Sequence, residues 1–326
     1  MRTVSGIFFL LFLLTLLAGS LYLLYLNFPG EFQQYSGIKA GENLEERIEY
    51  STSKQFYNNM RFPDKKISYK IERICDSKKR AETTKAFSIL SEETILEFYN
   101  SDSDTEITIF CSEIAPEAGT EDYFVAGEGG PTEVINTSIY AVIFKGKVSF
   151  FRDEKCDRPN IALHEILHAL GFDHNNNPKS VLFPTLDCEQ VIDQEIINDI
   201  NNLYSVEKSP DLKIENLDGS KSGRYLNFEI QVVNQGLENA KKVFLKVYYN
   251  DELIKFEGNK EALSFEDINV GTTKILSVTN SKIPLISNAK ARISEDIEEK
   301  IRFVVDEENL IDEIFEDNNE VELILD

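Results

Sequence analysis

An uncharged run from Gly6 to Phe28, rich in Leu, Phe and Ile, opens the chain and gives way at Pro29-Gly30 to a polar, irregular stretch reaching about residue 62. At 1.5 Å rise per residue such a run covers the roughly 30 Å hydrocarbon core of a bilayer. The pattern therefore predicts one transmembrane helix within residues 1–28 and a stalk over 29–62. From residue 63 the polarity becomes periodic. Ile67, Tyr69 and Ile71 alternate with polar neighbours as a half-buried strand does, and Ala86, Phe87 and Leu90 then share one face of a helix over about 80–93, with Asp76 and Ser77 as caps. Ile107, Ile109 and Cys111 alternate again. The glycine-rich segment from Ala126 to Pro131 reads as a turn, and Val134 to Phe150 as strands joined around Gly146. Pro159 sits just inside the start of a further helix, with Asp157 as its cap and Leu163, Ile166, Leu167 and Leu170 as its apolar side. A closing helix is predicted over 192–204, carried by Ile196, Ile197, Ile200 and Leu203.

Beyond Pro210 the period drops to two. Leu226, Phe228, Ile230 and Val232 form one stripe, Leu245, Val247 and Tyr249 another, and Val321, Leu323 and Leu325 a third, which together predict an all-β sandwich. The expected organisation is an α+β domain over 63–207, a twisted mixed sheet with helices, followed by an immunoglobulin-like sandwich over 208–326.

Charge narrows the partners. The formal net charge of −23 argues against nucleic acid, whose phosphates call for a basic face. Arg2 precedes the apolar run and Glu31 is the first charge after it, so the positive-inside tendency keeps the N-terminus cytoplasmic and places the rest outside the cell. The alternative is a cleaved signal peptide, with Ala18-Gly19-Ser20 as the processing site and a secreted product. Both readings export the domains. Four cysteines, Cys75, Cys111, Cys156 and Cys188, then suggest two disulfides in one of three pairings.

The chain's three histidines all lie in one stretch, His164-Glu165-Ile166-Leu167-His168-Ala169-Leu170-Gly171-Phe172-Asp173-His174, which reads H-E-x-x-H-x-x-G-x-x-H. On a helix His164 and His168 share a face and aim at one ion, with Glu165 beside it. Gly171 lets the backbone leave the helix, so that His174 returns as a third ligand. Three imidazoles and one open position suit catalytic Zn²⁺. Of the cysteine pairings, Cys75 with Cys111 and Cys156 with Cys188 is preferred, because the second pair brackets this helix and the segment after it.

These residues resemble the metzincin clan of zinc endopeptidases, and within it the matrixins. Ser180-Val181-Leu182-Phe183-Pro184 is similar to the matrixin Met-turn, except that Leu182 stands where methionine is expected. The resemblance implies a zinc endopeptidase acting on protein or peptide substrates, with Glu165 as general base and His164, His168 and His174 on zinc; the apolar run of residues 1–28 would anchor it at the membrane, facing outside the cell. It further implies an extended substrate aligned on backbone groups within Val134 to Phe150. The sandwich resembles the CARDB module through Asp211-Leu212, Val233-Asn234-Gln235-Gly236 and the late residues Asp306, Ile311, Glu313, Glu316, Asn318 and Asn319. Those late acidic residues form either a solvated structural face or a Ca²⁺ site built on Asp306 and Glu316. The competing functional reading is a surface adhesion protein with a degenerate metal domain; Leu182 favours it and the intact Glu165 opposes it.

Overall fold

The alternation of Ile67, Tyr69 and Ile71 gives a central strand of the first domain, all three side chains being buried. The computed structural model describes residues 13, 15–20, 54–116, 125–222, 224–283 and 299–325. Most of the Gly6–Phe28 run and of the stalk lies outside these, and among the described residues no helix is long and apolar enough to cross a membrane. The chain divides into two units, Met1–Lys39 and Ala40–Asp326, the second holding both domains.

Six strands build the first domain's sheet: β1 (Met60–Arg61), β2 (Lys66–Ile71), β3 (Glu97–Asn100), β4 (Ile107–Cys111), β5 (Gly127–Asn136) and β6 (Ala141–Phe150). Their order is β1-β6-β4-β2-β3, with β5 pairing β6. The β1–β6, β6–β4, β4–β2 and β2–β3 pairs are parallel, whereas β5 is antiparallel to β6 over its whole length and so forms an edge. Three helices accompany the sheet: α1 (Ser77–Glu93), α2 (Asn160–Ala169) and α3 (Gln194–Leu203). Ala86, Phe87 and Leu90 of α1, Leu163, Ile166 and Leu167 of α2, and Ile196 and Ile200 of α3 share one buried cluster with Ile67, Ile107, Ile109, Ile143 and Val148 of the sheet. Each such side chain contributes about 1.5–3 kcal/mol on burial, which fixes α2 in place before any ligand chemistry is considered.

Four details differ from the sequence expectation. The end of the stalk is part of the fold, since Met60, Arg61 and Phe62 are buried. The glycine-rich segment expected as a turn is the first half of β5. Its glycines permit close approach of two backbones: a Cβ on Gly129 would overlap the Glu165 carbonyl, and one on Gly127 would sit 2.7 Å from Glu165 Cγ. The joint expected at Gly146 lies instead at residues 137–140, where the Thr137 and Tyr140 backbones hydrogen-bond at 2.8 Å. Gly146 stays within β6 and faces Ala169 of α2. Finally, Asp76 does cap α1, its Oδ1 accepting from Lys79 N at 2.9 Å, but Asp157 does not cap α2. Pro159 takes the N-cap position there and has no side-chain donor or acceptor to offer. Glu154 serves instead, its Oε2 accepting from Ile161 N at 2.9 Å and its Oε1 from Lys155 N and Cys156 N.

Both expected disulfides are present, Cys75–Cys111 and Cys156–Cys188. The second ties the segment before α2 to the segment after the metal loop.

The second domain stacks two sheets. One holds β7 (Leu212–Ser222), β8 (Tyr225–Asn234) and β12 (Thr273–Lys282) in the order β12-β8-β7. The other holds β9 (Ala240–Tyr249), β10 (Glu252–Leu253), β11 (Leu263–Ile268), β13 (Glu299–Val305) and β14 (Glu320–Leu325), ordered β10-β9-β13-β14 with β11 on β9. The predicted stripes, Leu226, Phe228, Ile230 and Val232 from β8 and Leu245, Val247 and Tyr249 from β9, are all buried, and the Phe228 ring of one sheet meets the Phe303 ring of the other at 5.0 Å. Asn234 is a structural residue. Its amide donates to Glu238 O and Ile268 O and accepts from Asp211 N and Gly236 N, so a buried side chain satisfies four loop groups.

Asp306 and Glu316, the candidate calcium ligands, accept backbone N–H groups of Ile311 and Glu313. Among the described residues the only group of three or more side chains placed to share a metal ion is the histidine triad.

Candidate metal centre

Helix α2 carries His164, Glu165 and His168, and all three are at most 6% exposed. The helix ends at Leu170, and Gly171 follows with φ +98°, a conformation open to glycine. A Cβ there would also press on Met60, 2.6 Å from its Cγ. The turn brings His174 back to the other two histidines. The three Nε2 atoms form a near-equilateral triangle: His164 to His168 2.9 Å, His164 to His174 3.1 Å and His168 to His174 3.2 Å.

The opposite ring nitrogens explain which atoms face inward. His164 Nδ1 is 2.6 Å from Val181 O and His168 Nδ1 is 2.7 Å from Phe172 O. A carbonyl only accepts, so each Nδ1 carries the proton and each Nε2 presents a lone pair. Lone pairs so close repel unless a cation lies between them. A Zn²⁺ about 2.0–2.1 Å from each nitrogen fits above such a triangle, and nitrogen donors of this kind are those zinc prefers.

Burial also keeps the rings neutral. It lowers His164 to about 3, with His168 and His174 adding to the effect and the bond to Val181 opposing it. Burial lowers His168 and His174 as well. Glu165 moves the other way. Its carboxyl is pushed up to about 8, first by burial, then by the charge of Glu128, against a hydrogen bond from the Gly129 backbone.

Val181 explains what the turn after His174 does. Leu182 is 1% exposed and belongs to the domain core, while its N–H donates to Ser180 Oγ and its carbonyl accepts from Asn175 N. Asn175 Nδ2 also donates to Ser180 Oγ at 2.8 Å. This network holds the segment so that Val181 O meets His164. The contribution of the turn to the ligand is thus a backbone carbonyl, which Leu182 leaves intact. Pro184 lies two residues on and is exposed.

A cavity of about 310 Å³ opens beside His174, lined in part by Lys54, Asp173, Leu182 and Ile196. A broader groove of about 870 Å³ runs past the start of α2, along Asn160, Ile161, Leu186 and Cys188.

The sequence reading singled out the three imidazoles that come together here and Glu165, which lies buried on the same helix. It missed Gly127 and Gly129, whose spacing in Gly-Glu-Gly-Gly-Pro hinted at a close backbone approach. It also missed Glu154 and the segment from Lys54 to Phe56, for which no local pattern exists.

Together the fold and the histidine triad define a mixed α/β domain with a three-histidine site able to hold a metal ion, joined to a β-sandwich. Residues 61–205 match the Matrixin peptidase family model and residues 209–323 match the CARDB model. Macrophage metalloelastase of Oryctolagus cuniculus is 39% identical over 59 residues, 18% of this chain and 11% of that relative. The match thus spans about a tenth of the relative's length. Two structures of the CARDB domain of the PF1109 protein from Pyrococcus furiosus, one in complex with di-metal ions and one in solution, are each 20% identical with a TM-score of 0.27. They cover 36% of this chain, and 88% and 94% of those chains.

Proposed function

We propose that the chain is a zinc-dependent endopeptidase that hydrolyses peptide bonds outside the cell, held at the membrane by its N-terminal apolar run. The observation that carries this reading is the convergence of three neutral Nε2 donors within 3.2 Å of one another next to a buried carboxylate. When bound, zinc supplies Lewis acidity, polarising the scissile carbonyl and lowering the pKa of water toward about 7. Glu165, whose ionised form a bound cation would favour against the burial that raises its pKa, takes the proton of the attacking water and passes it to the leaving amine. The carbonyls of Val181 and Phe172 hold two ligand rings in the ligating tautomer. Strand β5 is the edge strand beside the metal helix and passes over Glu165 at Gly127 and Gly129, which makes it the natural partner for an extended peptide. Within the Val134 to Phe150 segment and the residues before it, β5 is thus the proposed aligning strand, since β6 is interior.

The test is cleavage of an unstructured protein by the purified chain, with and without chelator. Glu165→Gln is expected to keep zinc in metal analysis while losing turnover by roughly 10²-fold or more. Chelator-insensitive cleavage, or full activity in Glu165→Gln, would reject the proposal. Zinc retention with no turnover in the parent chain would favour the adhesion reading instead.

A further inference from the structure

Two of the zinc-type ligands sit on a helix buried in the core, but His174 sits on a loop beyond Gly171. Phe172 anchors the loop in the core, and a second segment fixes its outer side. The segment that does so comes from far upstream, at the end of the polar stretch. Gln55 and Phe172 form an isolated antiparallel bridge. Phe56 N donates to Gly171 O at 3.0 Å and Asp173 N donates to Lys54 O at 2.9 Å, so both sides of the ligand loop are hydrogen-bonded to the segment.

Side chains reinforce the pairing. Asp173 spans two partners: Oδ1 accepts from the backbone N–H of His174 at 2.7 Å, and Oδ2 meets Lys54 Nζ at 2.7 Å. The Phe56 ring lies 5.8 Å from the His168 ring. Gln55 in turn is locked to the first strand, its amide exchanging two hydrogen bonds with the Met60 backbone, and Met60 packs on Gly171. The segment is therefore tied to the core at one end and to the metal loop along its length.

We propose that residues 54–56 are a strap that positions His174, making the segment between the N-terminal region and the catalytic domain a working part of the metal centre. This rests on the metal-site reading above, and deepens it. Lys54 and Asp173 act as positioning residues, through His174. One consequence concerns processing: a cut upstream of Lys54 spares the strap, whereas a cut between Phe56 and Met60 detaches it from the core and loosens the third ligand.

Zinc affinity, measured by competition with a chromophoric chelator on the full chain, reads the strap without reference to turnover. Phe56→Pro deletes the N–H that bonds Gly171 and is expected to weaken zinc binding roughly tenfold, the scale of losing an outer partner of a ligand. Phe56→Ala keeps that N–H and is expected to stay within about threefold of the parent. Lys54→Ala removes one exposed ion pair, for about two- to fivefold, and Lys54→Arg restores it. Hydrogen exchange on the metal-free chain checks the cause, since the Asp173 amide should exchange faster in Phe56→Pro. Zinc affinity within twofold of the parent in Phe56→Pro, whatever the exchange rate, overturns the strap. Should Phe56→Pro fail to fold, Lys54→Glu, which sets a repulsive charge against Asp173, decides in its place by the same criterion. A parent chain that binds zinc yet cleaves nothing defeats the peptidase proposal and leaves this one standing.

Discussion

A leucine stands where the related turn carries methionine, and its neighbour's carbonyl shows why the exchange is tolerable. Val181 O, not the side chain at 182, meets His164. Leu182 fills core volume, and Met is close to Leu in volume and, being unbranched and flexible, can fill the same space. Leu182→Met is therefore expected to shift stability by less than about 1.5 kcal/mol and to leave zinc affinity nearly unchanged. Thermal unfolding and chelator competition check both, and a large gain in affinity would mean that the side chain itself tunes the ligand. Replacing a ligand is a different matter. His168→Ala removes one vertex of the triangle, and metal analysis should find the zinc lost; retained zinc would remove His168 from the ligand set.

Elements were legible in the sequence wherever a single periodicity dictated burial. The α1 stripe of Ala86, Phe87 and Leu90, the α2 stripe, and the alternation in β8 each lie buried as the pattern required. Illegible were the places where a residue's reason lies across the fold. Gly127-Glu128-Gly129-Gly130-Pro131 has turn composition, yet it is a strand because the α2 backbone passes too close for a Cβ. Gly129→Ala puts a methyl into the Glu165 carbonyl, so β5 must shift. The expected cost is about 1–3 kcal/mol, with weaker substrate binding as the edge strand leaves its register. Unfolding curves and KM together test this, and an unperturbed variant would show that β5 does not lie against α2 in solution. The cap of α2 was hidden for a similar reason: Glu154 reaches Ile161 across seven residues, while Asp157 is nearer in sequence but makes no cap. The Cys156–Cys188 bridge then holds this entry to the segment after the metal loop. Its sequence separation of 32 residues corresponds to about 3–4 kcal/mol in the chain-entropy model, so Cys156→Ser with Cys188→Ser should lower the unfolding temperature without removing any ligand.

At the scale of the molecule, the two domains meet at a small apolar seam and a buried acid stands beside it. Tyr140 and Val142 of the first domain pack with Leu237 and Val270 of the sandwich, and Ile314 packs against them. Ser138 Oγ donates to Gln235 Oε1, and Gln235 Nε2 donates to Asp211 Oδ2. Next to Ile314, Glu313 accepts from Leu212 N, at the start of β7, and from Asn319 Nδ2. Burial pushes the Glu313 carboxyl up to about 8, and the nearby Asp211 and Glu316 charges add to it, while those two hydrogen bonds oppose it. The sign follows from linkage: a carboxyl whose folded pKa lies above its ordinary 4.5 binds more protons folded than unfolded over the interval between them. Its contribution is full below about 4.5 and declines as pH rises toward about 8, opposite to the usual salt-bridged carboxylate. Protonation has a waiting acceptor, since Asn319 Oδ1 is buried without a partner and an amide turn would offer it to the Glu313 acid. Thermal unfolding of the full chain between pH 4.5 and 8 should show the sandwich transition falling with pH, and Glu313→Gln, neutral throughout, should flatten that slope. An identical slope in the variant would place the titration elsewhere and leave Glu313 an ordinary ionised carboxylate.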